Sequence, residues 1–351
     1  MFTAEATNAY DASIAAIDPL NADELITHLP EANTSGDVDW LTATAHDLAD
    51  RTATIGSAPE ACAALRDLGL VVSSLGRHRP RVLEDCPWQA PLLRLGTLAH
   101  EVPRETVYSY ASRNPDGPRQ RRFTDTAEER TFIANVTSGI RHLNHAVEVL
   151  VGYAHMPDQG KTLAELLAEL DSWLREFASC LLNVKRAVTP EFFTTQLRPF
   201  FPPLTISDHT YFGPGGAQMP QLVLDVLLLR PEPAAPLAKW HETYIEDNAI
   251  YLPASHRRLI DESLLVPSGL VARMTGPAAA SGVDQGAFTA MRTVVASILR
   301  FRYPHQRMAA ANMTIRPAGA LGSGGYSLEA VDQLVELTTY ALTQLDRTMT
   351  P

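Results

Sequence analysis

The chain has 351 residues, 45% hydrophobic and 20% charged, enough to bury a large core as one large domain or two ordinary ones. A formal charge of -11 argues against the basic stripe that a nucleic-acid surface needs; the one dense basic run, Arg119 to Arg122, lies in a Pro/Gly-rich loop and is expected to be solvated. Cys62, Cys86 and Cys180 form no CxxC pair, and neither a signal peptide nor a membrane-length apolar run is seen, so no disulfide framework or zinc site and a cytoplasmic protein are expected.

Helical spacing dominates and strand-like alternation is scarce, so the expected fold class is all-α. Short helices are predicted over 8–17, 22–28 and 38–53, with Pro19 and Pro30 between them. Ser57 caps a helix to residue 76, Pro59 fits its first turn, and Leu65, Leu68, Val71, Val72 and Leu75 give it one buried face. Helices over 91–99 and 104–112 precede a loop, 114–123. Capping boxes at Thr126–Glu129 and Thr162–Glu165 open two long helices, to residues 153 and 186, as the spine of an antiparallel bundle. A shorter helix runs over 189–197. Gly213-Pro214-Gly215-Gly216 keeps 201–218 out of regular helix, and 222–229 is a short apolar helix. Helices over 237–251, 254–264, 285–301 and 327–346 complete the chain, with Ser327 as an N-cap.

The candidate chemistry concentrates between Leu299 and Tyr326. His305 follows Pro304 and comes three residues after Arg302, on a helix that Val294, Val295, Ile298, Leu299 and Phe301 make apolar around most of its girth. Pro304 removes a backbone donor and is expected to break the helical ladder there. A buried histidine needs a partner for each ring nitrogen; a metal is one way to supply it, and a satisfied core histidine is the plainer alternative. Gly322-Ser323-Gly324-Gly325 precedes a helix and offers amides to an anion, but it fits neither a Rossmann nor a Walker loop. Arg198 ends an aromatic helix and suits a bidentate fork to a carboxylate, internal or of a substrate, with Phe193 and Phe200 as an apolar wall. Other histidines read as bland: His28 and His100 at helix ends, His46, His241 and His256 on exposed faces, His142 and His145 as a weak HxxH.

Three stretches together, FFTTQLRPFFPP, GPGGAQMP with QLVLDVLL, and LRFRYPHQRM followed by LGSGGY, resemble one family. The chain is similar there to the indoleamine/tryptophan 2,3-dioxygenase superfamily, in the branch that holds monodechloroaminopyrrolnitrin synthase and the maremycin-pathway β-methyltryptophan oxygenase. The resemblance implies a helical bundle of the indoleamine 2,3-dioxygenase type enclosing a haem. In one continuous domain, a smaller N-terminal helical part, 1–113, would cover the distal side and a larger part, 114–351, would carry the haem. It implies that His305 is the proximal ligand of the haem b iron and that Arg302 reaches a propionate. Arg198 would bind the substrate carboxylate and Phe193 the indole ring. Phe132 and Asn135 would line the distal pocket, while Ser323, Gly324 and Gly325 would close over the amino-acid end. Tyr326 stands where related loops carry a small hydroxyl residue. The implied activity is oxidation of L-tryptophan or β-methyltryptophan by dioxygen to a 2-oxindole in natural-product biosynthesis. Cleavage to N-formylkynurenine, rearrangement to an aminophenylpyrrole, a haem-binding sensor and an all-α scaffold are the alternatives. The expected partner is a small aromatic amino acid, with no nucleic acid and no membrane; a homodimer is left open.

Overall fold

Residues 2–83, 86–155, 162–276, 284–315 and 325–349 are described by the computed structural model, and they fold as an all-α protein. The N-terminal layer is α1 (Ala4–Ala16), α2 (Asp23–Ser35), α3 (Val38–Arg51), α4 (Ala58–His78) and α5 (Gln89–Ala99). At its centre α4 is buried on every side from Ala61 to Gly76, more than its apolar stripe predicts, because α1, α2, α3 and α5 all pack on it. The short α6 (Val107–Tyr110) leads to the long helices α7 (Ala127–His155) and α8 (Leu163–Ala187). After α9 (Pro190–Phe192) and α10 (Gln221–Leu224) come α11 (Ala238–Ala249), α12 (Ala254–Leu264), α13 (Leu270–Thr275), α14 (Gln285–Thr314) and α15 (Leu328–Met349). Four long helices lie side by side, α7 against α8, α8 against α14 and α14 against α15. Ser57 caps α4 as expected, there within a full capping box, and the capping box expected at Thr162 forms.

The differences from the expected elements have physical causes. Pro30 lies inside α2 and Pro304 inside α14, so His305 sits in mid-helix rather than beyond a helix end. A proline removes one donor at a cost of about 3 kcal/mol, and the apolar face of α14 buried against α8 and α15 outweighs that. The helices expected over 189–197 and 222–229 start as α-helix but finish as π-helical turns, Phe193–Leu197 and Asp225–Leu229. The helix expected over 104–112 shrinks to α6, and α13 was not foreseen. Nor was the hairpin β1 (Leu204–Ile206) and β2 (His209–Tyr211), which is closed by Ser207 and Asp208 at φ of 47° and 65°.

Apolar side chains gather in two cores. The first takes α1–α5 together with Phe123, Phe192, Phe200, Phe201 and the hairpin. The second takes the inner faces of α7 and α8, the 219–229 stretch and α11 to α15. Charge is buried on the N-terminal side too, and here the solvated-loop expectation fails: Arg121 is fully buried, its Nε donating to Asp67 Oδ1 at 2.9 Å. Arg66 shares Asp67 at 2.7 Å. Burial alone would push the Asp67 carboxyl up, yet Arg66 and Arg121 bring it below its ordinary value. Arg113 likewise reaches Asp11 at 2.8 Å and Glu101 at 2.7 Å. His256 and His241, expected on exposed faces, are both fully buried. His256 Nε2 meets Asn144 Oδ1 at 2.9 Å, and its helix position faces inward because α12 packs under the 225–229 turn.

Candidate active site

The seam between the two cores opens into a cavity of about 680 Å³. Phe132, Phe193 and Phe201 wall it from the first core; Phe177, Phe301 and Leu222 wall it from the second. Phe132 and Phe193 lie 5.6 Å apart between ring centroids, Phe177 and Phe301 4.2 Å. The two π-helical turns both reach this space, one ending at Arg198 and the other beginning at Asp225. An extra residue per turn swings side chains out of the regular helical stripe, which is why π turns recur at binding sites.

His305 looks into the cavity from α14, its ring stacked on Phe301 at 5.4 Å and 12°. Neither ring nitrogen is hydrogen-bonded to a described residue. Burial, and then the charge of Arg302, lowers its pKa to about 4, so the imidazole is neutral at physiological pH and its lone pair is available to a metal.

Arg302, expected to reach a haem propionate, is engaged inside the protein instead. Its guanidinium binds the Asp225 carboxylate, the Thr338 hydroxyl and, at 2.9 Å, the Leu334 carbonyl. A guanidinium so deeply buried needs a counter-charge in the folded chain itself, and Asp225 provides it. Burial pushes the Asp225 carboxyl up, against the pull of Arg302 and of Gln221, whose amide donates to it at 3.1 Å.

Arg198 lines the cavity, and its Nη1 donates to the Phe201 carbonyl at 2.8 Å across the tight turn that follows the π helix. Of the adjacent Phe192 and Phe193, Phe193 faces the cavity and Phe192 turns into the first core. Phe132 and Asn135, one turn apart on α7, both line it, with Asn135 Nδ2 donating to the Thr131 carbonyl at 2.8 Å. Gly213 lets its backbone close on Phe201, since a Cβ there would stand 2.7 Å from that residue's carbonyl oxygen. Ser323 and Gly324 lie outside the described residues. Gly325, at φ +80°, packs where any side chain would strike Phe212 at 2.4 Å. Tyr326 lines the cavity but ties its hydroxyl to α11, accepting from Asn248 at 2.8 Å and donating to Asp247 at 3.2 Å. Burial and then Asp247 raise its pKa, so it stays protonated.

The site also holds residues the sequence reading passed over. Asp225 was detectable, because one carboxylate in QLVLDVLLL must find a buried partner. Tyr244, which packs 5.5 Å from Tyr326, and Tyr110, whose hydroxyl donates to the buried Glu129 at 2.8 Å, carried no such signal.

The family model of monodechloroaminopyrrolnitrin synthase PrnB matches residues 41–347. The chain belongs to this family. The PrnB-family match takes in the second core, the α3–α5 part of the first and every cavity residue named above, leaving outside it α1, α2 and the first turn of α3.

Proposed function

We propose that this chain is a haem b oxygenase that uses dioxygen to oxidise the indole ring of L-tryptophan or β-methyltryptophan to a 2-oxindole. The observation that carries this reading is His305: a neutral imidazole without a hydrogen-bonded partner among the described residues, facing a large aromatic cavity in a PrnB-family chain. These residues fit a haem, which needs one neutral axial nitrogen and apolar walls on both faces. Bound there, the haem supplies the activation of dioxygen.

The chain's own residues do the rest. His305 would hold the haem iron, and the Arg302–Asp225 ion pair fixes α14 against the 225–229 turn one helical turn before it. Arg198 takes the substrate carboxylate through its fork, and Phe193 with Phe132 holds the indole plane. Asn135 offers a polar contact beside the aromatic walls, whose rings keep water from the indole. Dioxygen labelling tests the outcome: ferrous protein, tryptophan analogues and labelled dioxygen, with product mass as readout. One labelled atom supports the oxindole, and two support cleavage to N-formylkynurenine. The PrnB-family match favours a second reading, rearrangement to an aminophenylpyrrole, which predicts a product without labelled oxygen. The Soret band of the purified protein should vanish in His305→Ala, and a wild-type protein that binds no haem overturns the proposal.

A further inference from the structure

We infer that Lys185 and Arg307, at the mouth of the cavity between α8 and α14, bind the two carboxylates of the haem. This rests on the haem reading above. A haem brings two propionates, and ionised carboxylates cannot stay unpaired among carbon walls. Arg302 does not meet that need, because Asp225 already neutralises it and Thr338 and the Leu334 carbonyl take further donors. Arg198, in the turn that follows the π-helical Phe193–Leu197, serves the amino-acid substrate in the same reading. The carboxylate edge of the haem therefore belongs where the cavity meets water.

Exposed residues along the cavity fall in two places. One is the junction of α8, α9 and α14, at Lys185, Thr189, Pro190, Arg307 and Ala311; the other is at Gly216 and Ser327. Among the described residues only the first carries cations. Lys185 sits in the last turn of α8, and Arg307 comes two residues after His305 on α14, so the axial ligand and one cation share a single helix. The two helices pack directly on each other. Neither Lys185 nor Arg307 forms an ion pair with a described residue. Glu128, which reaches this junction from α7, is occupied: it accepts from the Thr189 amide and hydroxyl, both at 3.0 Å.

The test titrates apo protein with haem and with haem dimethyl ester, following the Soret band, in wild type, Lys185→Gln, Arg307→Gln and the double variant. Both side chains are solvent-exposed, so the substitutions should leave the fold intact, and the ester titration reports this directly. The wild type should prefer haem over its ester. The double variant should bind haem about tenfold more weakly, with the ester affinity and the Soret position unchanged, and each single variant should fall between. Added salt should weaken haem binding by the wild type and not by the double variant. Unchanged haem affinity in the double variant, or an equal loss for haem and ester, overturns the assignment while the haem reading stands. A wild type without any Soret band overturns both.

Discussion

The N-terminal layer and the α14 wall of the cavity bury polar groups in opposite ways. Around α4, Arg66 and Arg121 converge on Asp67, and Arg113 is held by Asp11 and Glu101, so each guanidinium has its counter-charge within the fold. On the cavity side of α14 Arg302 is matched in that way, by Asp225, while three residues on His305 faces open space with no hydrogen bond from a described residue. A saturated buried network rigidifies a region and leaves it nothing to offer a ligand. An imidazole left open in a cavity is the reverse, contributing little to the fold and keeping its lone pair for something else. The N-terminal layer thus satisfies its own buried charges, and the seam beside α14 keeps an imidazole open.

That contrast can be broken from either side. The largest effect is expected at Asp67→Ala, which strands Arg66 and Arg121 in the core; a loss of about 3–5 kcal/mol in chemical denaturation is expected. An unchanged midpoint would show that the N-terminal charges are ornamental. Arg198→Ala should weaken the tryptophan-induced change in the haem spectrum by about 1.5–3 kcal/mol in binding free energy, measured by titration. Acidification should act chiefly through the three histidines that burial holds furthest below the ordinary 6.5: His241 at about 3, His256 at about 4 and His305 at about 4. Between 6.5 and about 4 the unfolded chain takes up protons that the folded chain refuses, so stability falls as pH drops through that window. Each histidine contributes a slope of about 1.4 kcal/mol per pH unit there, readable as the shift in urea midpoint with pH. Tyr326→Phe removes the bonds to Asn248 and Asp247 and should cost about 1 kcal/mol, seen as a small drop in melting temperature. The smallest effect on the fold is expected for His305→Ala, less than about 1 kcal/mol in the apo protein at neutral pH, although it should abolish the Soret band.

The candidate site was legible in parts. His305, Arg198, Phe193, Phe132 and Asn135 do converge on one cavity, from three separate stretches of sequence. Arg302 lies in the expected neighbourhood, but its partner Asp225 could not be read from the sequence, since nothing local connects residue 302 with residue 225. His241 and His256 looked exposed because charged neighbours surround them in sequence. Burial depends on which face of α11 and α12 meets the rest of the fold, and both histidines are on the inner one.

By itself, the sequence determined the all-α class, most helix positions and the caps at Ser57 and Thr162, because propensity, spacing and capping act over a few neighbouring residues. Tertiary structure decided the continuity of α14 through Pro304, the two π turns, the Arg302–Asp225 pair and the cavity at the seam of two cores. Each of these depends on contacts between residues far apart in the chain, whose energies outweigh the local preference they override.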